Sequence, residues 1–194
     1  PSDPPMALIV RHAEKLQRLL GDLERRPRRI LSRTQSMTPV DRVQQLDVAS
    51  VRWLSRQPGR DIYERAGPQQ RILAVRRYED LDTLENRVLR DLAYRSQGLA
   101  SAYTAQYNQL RDSRRWQAVD RYSRECRKLA RSLKSQKVGM PRPPIVPNYA
   151  LLQDNRYRRI WKSYREIIRR MDEQDECWRW QHRLWSDFCR LLIQ

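Results

Sequence analysis

Apolar residues return every three or four positions through most of the chain. The longest such stretch runs from Leu81 to Leu110. Val88, Leu89, Leu92, Leu99, Tyr103, Tyr107 and Leu110 fall on one face of a helix. Asp82 reads as the N-cap of that helix, with Glu85, three residues on, reaching back to complete a capping box. A hydrophobic staple would then pair Leu81 with an apolar residue at the position Asn86 occupies. An amide there either bonds a nearby backbone group or has a special role. After Asp112-Ser113, the seam Val119, Tyr122, Cys126, Leu129 and Leu133 alternates by three and four, the spacing of a helix packed on a neighbour. The two patterns predict an antiparallel helical hairpin over 81–135, joined by a short turn.

The flanks read the same way. Met6 to Arg26 is a helix with Leu8, Ile9, Leu16, Leu19, Leu20 and Leu23 inside, stopped by Pro27. Ile30 to Thr38 reads as a connector, and Pro39 to Arg56 as a second helix with Val40, Val43, Val51 and Leu54 inside. Pro58-Gly59 and Gly67-Pro68 mark turns. Ile72, Leu73 and Val75 fit either a short extended piece or a turn of helix. Four prolines make residues 139–147 a non-helical connector. Tyr157, Ile160, Trp161, Tyr164, Ile168 and Met171 then form the inside of a last helical region, with a break expected at Asp172 to Glu176. Trp178, Leu184, Trp185, Phe188, Leu191 and Leu192 carry an apolar face onward. The expected fold is all-α: a long antiparallel helical hairpin with additional packed helices. The expected organisation is an N-terminal helical segment, 1–70, and a core helical domain, 71–194, whose C-terminal helices occupy 153–194. A chain that starts at Pro1 and stops at Gln194 in mid-pattern reads as a piece of a longer protein.

Charge changes the picture. The chain carries +17, and 35 of its 40 basic residues are Arg. Arg grips planar anions bidentately and stacks on aromatic rings, which suits phosphate. Three partners fit: nucleic acid, an acidic protein surface, or solvent around ordinary helix faces. The basic residues fall in two rows at spacings of three and four. One is Arg121, Arg124, Lys128 and Arg131; the other is Arg158, Lys162, Arg165 and Arg169. Both rows have the spacing to follow a nucleic acid backbone without reading bases, although Glu125 and Glu166 soften their field. No run of about 18 apolar residues exists, so no membrane span is expected. Cys126, Cys177 and Cys189 lie on or beside apolar stripes, which predicts buried reduced thiols and a cytoplasmic location. Cys177, His182 and Cys189 do not make a metal site, because Cys177 points away from the face shared by the other two.

Two stretches carry a family resemblance. Asp82-Thr83-Leu84-Glu85-Asn86-Arg87-Val88 resembles the D-T-P-E-N-R-hydrophobic signature of a helical domain of unknown function, with Leu84 in place of the usual proline. Pro147-Asn148-Tyr149-Ala150-Leu151-Leu152 followed by Tyr157-Arg158-Arg159-Ile160-Trp161 is similar to a later motif of the same family. That domain lies upstream of a PD-(D/E)XK nuclease in proteins similar to McrC, the nuclease subunit of modification-dependent restriction systems. The resemblance implies defence against foreign DNA and a partner that is an AAA+ GTPase or ATPase. It carries over no catalytic residue.

The residues themselves agree with a non-catalytic chain. No Glu-x-Lys occurs to complete a nuclease metal site, and Glu125-Cys126-Arg127 is the nearest approach. No Gly-Lys-Ser/Thr phosphate loop is present, and His12 and His182 are the two histidines. The expectation is a basic helical module that binds DNA, needs no cofactor or metal, and positions a nuclease or partner. The competing expectation is a scaffold that docks an AAA+ subunit without touching DNA.

Overall fold

The structure, a computed structural model, describes residues 3–193; within the last helix, side chains at 174–179, 182, 183, 186, 187 and 190–193 are not described. Cys177, Trp178, His182, Leu191 and Leu192 therefore lie outside the described side chains. In chain order the elements are α1 (Leu8–Arg25), β1 (Ile30–Pro39), α2 (Val48–Ser55), α3 (Ile62–Ala66), β2 (Arg71–Asp80), α4 (Leu84–Gln106), α5 (Arg114–Ser135), α6 (Tyr149–Gln153) and α7 (Asn155–Ile193). They divide into two units. One is built from residues 1–28 and 82–194, the other from residues 29–81.

The first unit is helical. Its seam residues Val119, Tyr122, Cys126, Leu129 and Leu133 are all buried on α5, and Val88, Leu89 and Leu92 are fully buried on α4. The two helices pack as the expected hairpin, turned by a short 3-10 segment at Asn108–Leu110. Ser113 caps α5 by accepting from the Trp116 N–H at 3.3 Å. α1 packs on α5 and α4, and α7 packs on α4 and α1. Ile9, Leu16, Leu19, Leu20 and Leu23 of α1 are buried, as their spacing predicts. Tyr157, Ile160, Tyr164 and Ile167 form the buried stripe of α7. The break expected at Asp172 to Glu176 does not occur, since α7 runs as one helix through it. Among the described residues, no helix is long and apolar enough to cross a membrane.

The second unit overturns the all-α expectation. β1 and β2, ten residues each, form an antiparallel ribbon with Ile30 opposite Asp80 and Pro39 opposite Arg71. The fold is mixed, mostly helical with a two-stranded sheet. The cause lies in the run Ile72-Leu73-Ala74-Val75. Extended backbone turns alternate residues to one face, and Ile72 and Ala74 are buried while α2 and α3 pack on β2. The helix expected over 39–56 is correspondingly shorter. Only Val48–Ser55 is α-helix, after a 3-10 turn at Val40–Arg42. The Asp47 carboxylate starts it, accepting from the Ser50 N–H and hydroxyl, both at 2.8 Å. Upstream of that cap the chain lies along β2, where the Val75 N–H donates to the Gln45 carbonyl at 3.0 Å.

Candidate nucleic-acid interface

The motif around Asp82 opens α4, but not through the capping box expected there. Thr83 is the N-cap and accepts from the Asn86 N–H at 3.3 Å. Asp82 and Arg87 thereby occupy the two positions a hydrophobic staple would use. They form an ionic version of it, with Arg87 donating to both Asp82 carboxylate oxygens at 2.8 and 2.6 Å. The Arg87 guanidinium holds the Asp82 carboxyl below the usual carboxylate range. Asp82 also accepts from the Gly139 N–H at 2.7 Å, so it fixes the start of the proline-rich connector.

Asn86 is fully buried and closes a ring of three hydrogen bonds. Its amide donates to the Arg28 carbonyl at 2.7 Å, and its oxygen accepts from the Tyr157 hydroxyl at 2.8 Å. The Arg28 N–H donates back to the Tyr157 oxygen at 2.8 Å. Burial pushes the Tyr157 phenol up to about 12, which keeps its proton in place as a donor. Immediately before Asn86, the buried Glu85 accepts from the Asn148 amide at 2.9 Å and lies 3.4 Å from Arg28 Nε. Asn148 follows Pro147 and caps α6, accepting from the Leu151 N–H at 3.1 Å. Both stretches of the motif therefore meet in one polar network. It ties the end of α1, the start of α4 and the entry to α7 together, and its geometry is that of a structural joint.

The two basic rows are placed on different helices. Arg121, Arg124, Lys128 and Arg131 are all exposed on α5, and Arg158, Lys162, Arg165 and Arg169 are all exposed on α7. Both helices pack on α1 and α4. Part of each row is already engaged. Arg124 pairs with Asp120 at 3.0 Å, Lys128 with Glu24 at 3.1 Å and Arg169 with Glu173 at 2.8 Å. Arg158 donates to Asn155 at 2.9 Å. Exposed pairs of this kind are weak and exchange with solvent ions, so they attenuate a phosphate-binding face without closing it.

Sequence reasoning missed two further basic clusters. The first is a groove of about 300 Å³ between α4 and α5, lined by Arg90, Arg127, Arg131 and Lys134 beside Tyr94 and Met140. Its signal was present as i, i+4, i+7 spacing on both helices. It becomes visible only once the hairpin register is known. The second lies in the ribbon unit, where Arg42, Arg71, Arg76 and Arg77 line a cavity of about 440 Å³ with Ser36 and Thr38. Its residues converge through strand pairing, which sequence periodicity did not reveal. A third cavity, of about 610 Å³, is lined from α1 by Arg11, His12 and Lys15 and from α7 by Glu166, Arg169, Arg170 and Glu173. His12 is buried at its edge, bonded through Nε2 to Glu166 at 3.0 Å. Its Nδ1 is buried without a hydrogen-bond partner among the described residues. Burial holds His12 below its ordinary pKa.

No group of His, Cys, Asp and Glu among the described residues is placed to hold a metal ion. Cys126 is buried and its thiol is pushed up to about 12 by that burial, so it is an inert core residue.

A family model described as a domain of unknown function, DUF2357, matches residues 5–139. The chain belongs to that family. The match takes in the Asp82–Val88 signature and both helices of the hairpin, and so Arg28 and Asn86 of the joint, but not its partners Asn148 and Tyr157. The second motif, Pro147 to Trp161, lies beyond the matched residues. No curated protein matches the chain, and no solved structure does.

Proposed function

We propose that this member of DUF2357 is a non-catalytic, basic, mostly helical module of a prokaryotic restriction or anti-phage defence protein of the McrC-like kind. In this reading it binds DNA through its backbone and positions a nuclease or partner subunit. The observation that carries the reading is the α5 row. Arg121, Arg124, Lys128 and Arg131 are exposed on one face of a rigid 22-residue helix, with neighbours about 5–6 Å apart. Such a row follows phosphates without reading bases, and binding of this type releases counterions. The net charge of +17, almost wholly Arg, favours the same partner. The resemblance of residues 82–88 and 147–161 to the McrC-associated domain supplies the defence context.

The experiment is to change Arg124, Lys128 and Arg131 together to Gln and to measure duplex affinity across a salt series. For every phosphate that the variant no longer neutralises, the slope of log affinity against log salt should fall by about 0.9. Affinity and slope equal to those of the unaltered protein would remove this face from the reading. A second reading is favoured by α7, where Trp180, Leu184, Trp185 and Phe188 are exposed along the helix, with Trp185 and Phe188 rings 5.8 Å apart. Apolar residues so placed suit a scaffold that docks an AAA+ ATPase or GTPase without touching DNA.

A further inference from the structure

The groove between α4 and α5 combines three things. It has several cations, an exposed aromatic ring, and no carboxylate among its lining residues. Arg90 and Tyr94 stand one turn apart on α4. Arg127, Arg131 and Lys134 stand at successive turns on α5. Tyr94 is 61% exposed, so one face of its ring is open. Met140 is 39% exposed at the connector side and adds an apolar surface.

The groove is also held in shape. Arg90 donates to the Val138 carbonyl and the Gly139 N–H donates to Asp82. Asp82 is in turn gripped by Arg87. The connector that presents Met140 is thus fixed to the start of α4 before any ligand arrives, which lowers the ordering cost of binding. A guanidinium that spends one N–H on a carbonyl keeps others for an anion.

We infer that this groove takes an unpaired nucleotide, with its phosphate among Arg127, Arg131 and Lys134 and its base stacked on Tyr94 beside Met140. The inference rests on the nucleic-acid reading above and names the feature of the nucleic acid that the same face prefers. A cavity of about 300 Å³ accommodates one nucleotide and not a duplex. An open aromatic face suits any base, because every base has a π-face. A simple inorganic anion would use the cations and leave Tyr94 and Met140 without a role. The expected ligand is therefore a single-stranded end, tail or gap next to duplex held by the α5 row.

The test compares a blunt DNA duplex with the same duplex carrying a single-stranded tail that contains 2-aminopurine, both against the full chain. The tailed duplex should bind roughly tenfold tighter, the scale of one stacked base, and the 2-aminopurine fluorescence should be quenched on binding. Tyr94→Ala and the pair Arg127→Gln with Lys134→Gln should remove that gain and leave blunt-duplex affinity within about twofold. Tyr94→Ala should also abolish the quenching. Tyr94 is exposed, so its removal leaves the core intact; Tyr94→Phe should retain both effects. Equal affinity for the two DNAs, or quenching that survives Tyr94→Ala, overturns the inference while duplex binding stands. Failure to bind either DNA overturns both readings. A gain from the tail that depends on neither Arg127 nor Lys134 places the nucleotide elsewhere and overturns the inference too.

Discussion

Replacing Asn86 with Ala should be among the most costly single changes in this chain that leave its apolar core intact. The side chain is fully buried and makes two long-range hydrogen bonds, to the Arg28 carbonyl at 2.7 Å and from the Tyr157 hydroxyl at 2.8 Å. Alanine removes both and leaves the part-buried Arg28 carbonyl and the buried Tyr157 hydroxyl short of a partner. Each such group costs about 1–3 kcal/mol, so the expected loss is about 2–6 kcal/mol. For a chain of this size that is a drop of roughly 4–24 °C in melting temperature. Tyr157→Phe keeps the ring but withdraws the hydroxyl from Asn86 and from the Arg28 N–H, and should cost about 1–3 kcal/mol. The double variant should lose less than the sum, with a coupling of about 1–2 kcal/mol, because both changes break the same ring. Urea unfolding followed by helical circular dichroism measures all three, with unchanged m-values as the check that the compactness of the unfolded chain is unaltered. A loss below about 0.5 kcal/mol for Asn86→Ala, or strict additivity in the double variant, would refute the idea of a closed ring.

Three other outcomes follow from the same network and its surroundings. Thr83→Ala should cost about 1 kcal/mol as an N-cap loss; Asp82→Asn should instead flatten the acid limb of the stability curve. The folded Asp82 carboxyl lies below its ordinary value of 3.8, so its contribution is present above that pH and is lost as pH falls through the folded value; urea midpoints across an acid series test both. His12 gives the opposite end of the range: its folded pKa lies below 6.5, so stability is complete above that pH and declines as pH falls through the folded value, and His12→Gln should remove that decline.

The parts of the fold that were legible in the sequence are those whose burial repeats locally. The α5 seam from Val119 to Leu133 is buried at every expected position, because a helix that packs on neighbours along its length must repeat its contacts every three or four residues. The ribbon obeyed no such rule. β1 buries none of its ten residues, so Ile30 to Pro39 carries no alternation to read, and its partner lies about forty residues downstream. Only the apolar run of Ile72 to Val75 signalled a strand, and it fitted a turn of helix as well. Within the motif, Asn86 stood out as an amide where carbon was expected, yet its partners Arg28 and Tyr157 are distant in sequence and only the fold brings them in. Asp82 was assigned the cap because aspartate caps well; Thr83 took that place and released Asp82 to bind Arg87 and Gly139. The cationic groove escaped notice for a related reason. Its two halves are each an ordinary charged helix face, and only the register of α4 against α5 makes them one surface.

The ribbon has a consequence for how this family can vary. Residues 29–81 leave the helical unit after Arg28 and return to it at Asp82, and the pairing of Ile30 with Asp80 brings the two ends of the excursion together at its base. A segment whose ends already meet can be lengthened, shortened or exchanged without stretching the chain on either side. Arg28 and Asn86, which flank the excursion, are joined by their own hydrogen bond, so the doorway is braced independently of what passes through it. Natural relatives should therefore differ most within residues 29–81, in length as well as composition, while the framework that accepts the insert changes slowly.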